Sequence, residues 1–70
     1  MAEIHAEMVA NVLEVVGHEG QLVDEGDTVV VLESMKMEIP VLTEYSGKLT
    51  KIAVKEGDVV QEHDLIAIVE

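Results

Sequence analysis

Residues Ile4 to Glu33 align without a gap on Val41 to Glu70, so this 70-residue chain contains an internal repeat with an offset of 37 positions. Glu7/Glu44, Glu19/Glu56, Gly20/Gly57, Val23/Val60, Glu25/Glu62, Asp27/Asp64 and Glu33/Glu70 are identical, and aliphatic pairs such as Val12/Leu49, Val15/Ile52, Leu22/Val59, Val29/Ile66 and Val31/Ile68 lie between them. Two halves so alike imply one fold with quasi-twofold symmetry. Neither half is large enough to close a core of its own, and the expected arrangement is a single domain over residues 1–70 with the halves packed face to face.

Turn chemistry sets the elements. Gly17-His18-Glu19-Gly20 and Asp24-Glu25-Gly26-Asp27 punctuate the first half, and Lys55-Glu56-Gly57-Asp58 and Gln61-Glu62-His63-Asp64 the second. Spacing this short leaves no room for a helix. The apolar content of 49% is almost all aliphatic and rich in β-branched residues, with Tyr45 the single aromatic, and that composition favours strands. Strands are predicted near 3–8, 11–16, 21–23, 28–34, 37–42, 47–54, 58–60 and 65–70. The predicted fold is all-β, a flattened eight-stranded sandwich of two four-stranded antiparallel sheets. Without cysteine, so small a domain has to hold by packing alone. The repeat also sets His63 opposite Gly26. Glycine at that turn position most simply supplies a positive φ, so an equivalent second turn would hold His63 in the left-handed region.

At the junction of the halves, Glu33-Ser34-Met35-Lys36-Met37-Glu38 stands between the apolar runs Val29-Val30-Val31-Leu32 and Ile39-Pro40-Val41-Leu42. Pairing Leu32 with Ile39, Glu33 with Glu38 and Ser34 with Met37 leaves Met35 and Lys36 at the apex of a hairpin. A two-residue connection favours a type I′ turn, with positive φ at both central residues. Asn and Gly suit those positions. Met and Lys do not, and a broken local rule of this kind marks a functional or strained site. Since the first half runs into this turn at Glu33 and the second ends at Glu70, the symmetry places Lys36 at one end of the sandwich and both termini at the other.

Glu-Ser-Met-Lys-Met-Glu at 33–38 resembles the attachment motif of the biotinyl/lipoyl domain family, and in particular that of the biotin carboxyl carrier proteins. The resemblance covers nearly the whole chain. It implies the family's barrel-sandwich hybrid fold, and it makes Lys36 the residue joined to biotin through an amide, with Met35 and Met37 as flanking recognition residues. Related lipoyl domains usually show Asp-Lys-Ala there. By the same resemblance, a biotin protein ligase would load the cofactor, the neutral Lys36 amine attacking biotinyl-adenylate. Biotin would then be carboxylated at a biotin carboxylase and deliver the carboxyl group to an acceptor, such as an acyl-CoA, at a carboxyltransferase. The chain would be a non-catalytic carrier, and a monomer in isolation. A lipoyl-type carrier of the same fold, or a biotinylated interaction protein without a carboxylase role, are the alternatives.

Glu33, Ser34 and Glu38 form the weaker part of the site. Glu33 and Glu38 serve either ligase recognition or the solubility of an apolar hairpin edge. Met35 should project outward, where a flexible thioether adapts to different partner surfaces, whereas Met37 suits recognition or partial packing equally. The family's common Pro-Met-x-Gly stretch is replaced by Glu7-Met8-Val9-Ala10, and no insertion has the length of the thumb seen in some biotinyl domains. No Pro/Ala-rich linker flanks the repeat, and Met1 favours a freestanding minimal carrier over a trimmed domain.

Fifteen acidic residues against four lysines and no arginine give a formal charge of -11. Such a surface repels phosphate backbones and anionic lipids, which argues against nucleic-acid and membrane roles. Solubility and steering toward basic docking surfaces both account for the charge. Apolar runs are far too short to span a bilayer and Met1-Ala2-Glu3 lacks the regions of a signal peptide, so a cytoplasmic protein is expected. His5, His18 and His63 lie at no ligand spacing and are read as turn and surface residues. No Ser/His/Asp arrangement or phosphate loop is legible, and an autonomous enzyme is not expected.

Overall fold

In a computed structural model, which describes residues 1–70, the chain forms eight strands and no helix. They are β1 (Ala2–His5), β2 (Ala10–Val15), β3 (Leu22–Val23), β4 (Thr28–Ser34), β5 (Met37–Leu42), β6 (Gly47–Ile52), β7 (Val59–Val60) and β8 (Leu65–Val69). Two four-stranded antiparallel sheets result, ordered β1-β8-β6-β3 and β5-β4-β2-β7. Moving each strand of the first sheet by one repeat gives β5, β4, β2 and β7 in turn, so the twofold relation holds strand for strand.

One expectation is corrected here. The halves do not face each other as separate layers, because each sheet takes two strands from each half. Every connection crosses from one sheet to the other except that between β4 and β5, which stays within its sheet. Two-residue strands such as β3 and β7 are too short to make a layer with their own half, and they find ladder partners in β6 and β2 of the repeat-related arrangement.

The backbone repeats the symmetry in its hydrogen bonds. Gly20 N donates to Leu49 O at 2.7 Å and Gly57 N to Val12 O at 2.9 Å; Thr43 N donates to Asp27 O at 2.9 Å and Ala6 N to Asp64 O at 2.8 Å. Asp27 Oδ2 accepts from Asp24 N at 2.9 Å, and Asp64 Oδ2 from Gln61 N at 2.8 Å, which explains why this aspartate is identical in both halves. Register shifts fall at equivalent places too, between Thr28 and Val30 on β4 and opposite Ile4 and His5 on β8. At a bulge the side-chain alternation slips by one residue. Hence two successive residues turn inward in each half, Val29 and Val30 in one and Ile66 and Ala67 in the other, all fully buried.

The remaining core comes from Ile4, Ala10, Val12, Leu32, Leu49 and Val69 on the longer strands, Val23 and Val60 on the short ones, and Ala6 just after β1. It is aliphatic throughout, and each large side chain taken fully out of water contributes about 1.5–3 kcal/mol. The one buried polar side chain, Thr43, is satisfied locally: its Oγ1 donates to Tyr45 O at 2.8 Å and accepts from Tyr45 N at 3.1 Å.

Strand limits agree with expectation to within one residue at six of eight elements. The exceptions are β1, which ends at His5 and not near residue 8, and β6, which ends at Ile52 and not near residue 54, although Ala6 N and Ala53 N still bond to Asp64 O and Ile66 O. The body is elongated, 31 × 17 × 17 Å. At the base of the β4–β5 hairpin, Glu25 N donates to Ser46 Oγ at 3.2 Å, the adjacent Gly47 lies against Glu70, and Ala2 pairs with Val69. Both termini therefore sit at the end remote from Lys36.

Candidate functional site

β4 and β5 pair in the register expected from sequence: Leu32 with Ile39, Glu33 with Glu38 and Ser34 with Met37. This forces a two-residue turn, and the turn is left-handed at both residues, with φ 53° at Met35 and 64° at Lys36. Side chains with a Cβ pay roughly 1–2 kcal/mol for each such residue. Tertiary pairing holds them there. β4 is an inner strand with β2 on its other side, pairing Asn11 with Glu33, so the hairpin rises from a three-stranded support. β5 is the edge strand, where Pro40 costs no ladder bond that faces solvent.

Lys36 is exposed and takes part in no ion pair. Met35 is 92% exposed and Met37 62%. Alternation puts Met37 on the face shared with Ile39 and Val41, yet only the latter two pack against the core. Of the two roles open to Met37 from sequence, packing is therefore not the one observed. Glu33 and Glu38 lie directly across from each other on the opposite face. Like charges in that relation repel, and neither carboxylate bonds to Lys36. Ser34 is half-buried at the neck of the turn.

Beside the turn lies a groove of about 330 Å³, lined by Val9, Asn11, Ser34, Met35, Lys36 and Val59 among others. Val9 and Val59 are 57% and 61% exposed. Sequence reasoning did not place either of them near the lysine. The available signal was that Val59 is the repeat partner of Leu22, both outward-facing apolar residues on two-residue edge strands. The histidines lie elsewhere: His63 at the tip of its turn, and His5 with Nδ1 donating to His63 O at 2.8 Å and Nε2 3.0 Å from Glu3 Oε1.

A family model described as "Biotin-requiring enzyme", the biotin/lipoyl family, matches residues 1–69. The chain belongs to that family. Among its relatives, the "biotinylated protein TB7.3 homolog" of Mycolicibacterium smegmatis is 62% identical over 71 residues, with both chains covered in full. Among solved structures, the Kluyveromyces lactis urea carboxylase matches with a TM-score of 0.93 and 35% identity, over 99% of this chain and 6% of that one. The lipoyl domain of the Azotobacter vinelandii 2-oxoglutarate dehydrogenase complex matches with a TM-score of 0.84 at 24% identity, covering 100% of this chain and 96% of that domain, a likeness of fold. In family terms, the β4–β5 hairpin is the tip of a biotinyl/lipoyl domain, built as the repeat and the turn pattern led one to expect.

Proposed function

We propose that Lys36 is the biotin attachment site and that the chain is a carrier, moving a carboxyl group between the biotin carboxylase and carboxyltransferase sites of a biotin-dependent carboxylase. The observation that carries this reading is the turn itself: an unpaired lysine, between two exposed methionines, held in left-handed backbone at the single connection that does not cross between sheets. The likeness to a biotinylated protein and to a carboxylase domain supports biotin over lipoate. When bound, biotin supplies a ureido nitrogen able to take up and release a carboxyl group.

The protein's own part is chemical once and mechanical thereafter. In the ligase, Lys36 Nζ first gives up a proton. The free amine attacks the carbonyl carbon of activated biotin, the bond from that carbon to the phosphate oxygen of AMP breaks, and the nitrogen loses a second proton as the amide forms. The positive charge is gone. A lysine already held by Glu33 or Glu38 would lose that contact on modification; Lys36 has none to lose. Met35 and Met37 offer polarisable, conformationally adaptable contacts to the ligase and then to the two carboxylase sites. Glu33, Ser34 and Glu38 shape the neck of the hairpin. With the termini at the far end, the lysine is free to enter a partner's active site.

Incubation with biotin protein ligase, ATP and biotin should add one biotin per chain by intact mass, mapped by peptide mass to Lys36. Lys36→Arg should stay unlabelled with an unchanged melting midpoint. Label on Lys48, Lys51 or Lys55, or transfer of lipoate in place of biotin by the matching ligase, overturns the assignment. Recovery of carboxylase subunits with the biotinylated chain separates a carboxylase carrier from a free interaction protein.

A further inference from the structure

The sandwich is open along one seam. The free edges of β1 and β5, one from each sheet, face each other across a groove of about 610 Å³. Its floor is apolar, with Ile4, Ile39 and Val41. Its rim carries Glu3, Glu7, Glu44 and Glu62, and no lysine lines it. Glu7 and Glu44 are repeat mates, so the twofold relation sets one carboxylate at each end of the groove. Three of the other six identical pairs have a structural reason: Gly20/Gly57 adopt positive φ, Val23/Val60 are core and Asp27/Asp64 bond within their turns. Glu7 and Glu44 are exposed and have no hydrogen bond or ion pair within the chain.

We infer that this seam is a second docking surface, distinct from the lysine hairpin, and that its occupant is an extended basic segment of a partner protein with apolar residues alternating between its lysines or arginines. An extended chain fits for two reasons. Both walls are edge strands whose outer backbone groups can take up an added strand, β1 with donors and acceptors and β5 with one donor fewer because of Pro40. A strand with alternating character would also lay its apolar face on Ile4, Ile39 and Val41 while its cations meet the glutamate rim. The negative rim also disfavours a second copy of this chain as the occupant, since its own charge is -11.

The test is an NMR titration of the whole chain with a short peptide in which lysine alternates with valine and leucine, with a glutamate-for-lysine peptide as control. The expected result is saturable shifts confined to Ile4–Met8 and Ile39–Tyr45, weakened by salt, and none with the acidic peptide. Glu7→Gln with Glu44→Gln should weaken binding roughly tenfold. Glu14→Gln with Glu56→Gln, which removes equal charge away from the seam, should change it less than twofold. Equal losses from both pairs, shifts spread over the whole surface, shifts centred on Met35 and Lys36, or seam shifts that appear with concentration and no peptide through self-association each overturn the proposal.

Discussion

The two ends of this molecule are built by the same half-chain and differ in one connection. At one end β4 pairs Glu33 with Asn11 and runs on through Met35 and Lys36 into β5. At the other, Glu70 N and O both bond to Lys48 at 2.8 Å, the repeat-equivalent pair. The frame thus closes at the second end with no hairpin and no left-handed Met or Lys. Strain at the first end is not something the sandwich requires. It belongs to the presentation of Lys36.

The largest test of that symmetry is at Gly47, which stands where the first half has Ala10. A Cβ built on Gly47, at φ 152°, would sit 2.5 Å from Glu70 O and 3.1 Å from Val69 Cγ1. Gly47→Ala should cost roughly 2–4 kcal/mol, from clash and backbone strain together, while Ala10→Gly should cost only about 0.5–1 kcal/mol. Chemical denaturation of the two variants compares the ends directly. Similar costs for both would mean that the ends tolerate the same backbone and that the packing against Glu70 is not tight.

Much of this was legible in the chain. The hairpin register followed from two apolar runs and a polar tip of fixed length, because slipping by one residue would have turned Leu32 and Ile39 outward. Left-handed φ at Met35 and Lys36 followed from the register, and that at His63 from the repeat. Interleaving of the halves was not legible. A repeat says that two segments are alike, and it is silent on which of them supplies the ladder partner of a given strand. The bulges at Val29 and Ile66 were hidden for a related reason: they change the pairing count without any glycine or proline to announce them. Val59 came to lie near Lys36 through the pairing of β7 with β2, a long-range contact that no local pattern contains.

A smaller test is the turn at His63. Its φ is 78° against 95° at Gly26, and His63 N donates to Ala6 O at 2.8 Å as Gly26 N does to Thr43 O. The turns are equivalent, so His63 holds a conformation that favours glycine. Its ring lies 4.0 Å from Glu62 with both side chains largely exposed, a contact of little worth. His63→Gly should therefore raise stability, by no more than about 1 kcal/mol once the greater freedom of glycine in the unfolded chain is subtracted. A lower melting midpoint would show that the histidine side chain holds something the glycine half does without.

The smallest expected effect separates His5 from its repeat mate Leu42. Nδ1 of His5 donates to His63 O, and Nε2 faces Glu3 at 3.0 Å. A neutral ring with its proton on Nδ1 presents a bare nitrogen to the carboxylate, and only the imidazolium donates to both. The His63 carbonyl first, and then the Glu3 carboxylate, accordingly raise the His5 pKa above the ordinary value of 6.5. Because the folded value lies above the unfolded one, protonation favours the fold. That contribution is complete below the unfolded pKa and is lost as pH rises through the folded one. Fifteen carboxylates also change the stability of this acidic chain with pH, so the quantity to measure is a difference, the melting midpoint of the native chain minus that of His5→Leu. It should be larger at a pH of about 5.5 than at about 8, on either side of the histidine range. Since the ring is exposed, the change should be slight and should shrink in high salt. A difference that stays level between those two values, or grows toward alkaline pH, would mean that the bond to His63 is made equally well by the neutral ring, and that this turn owes its geometry to the backbone alone, as the Gly26 turn does.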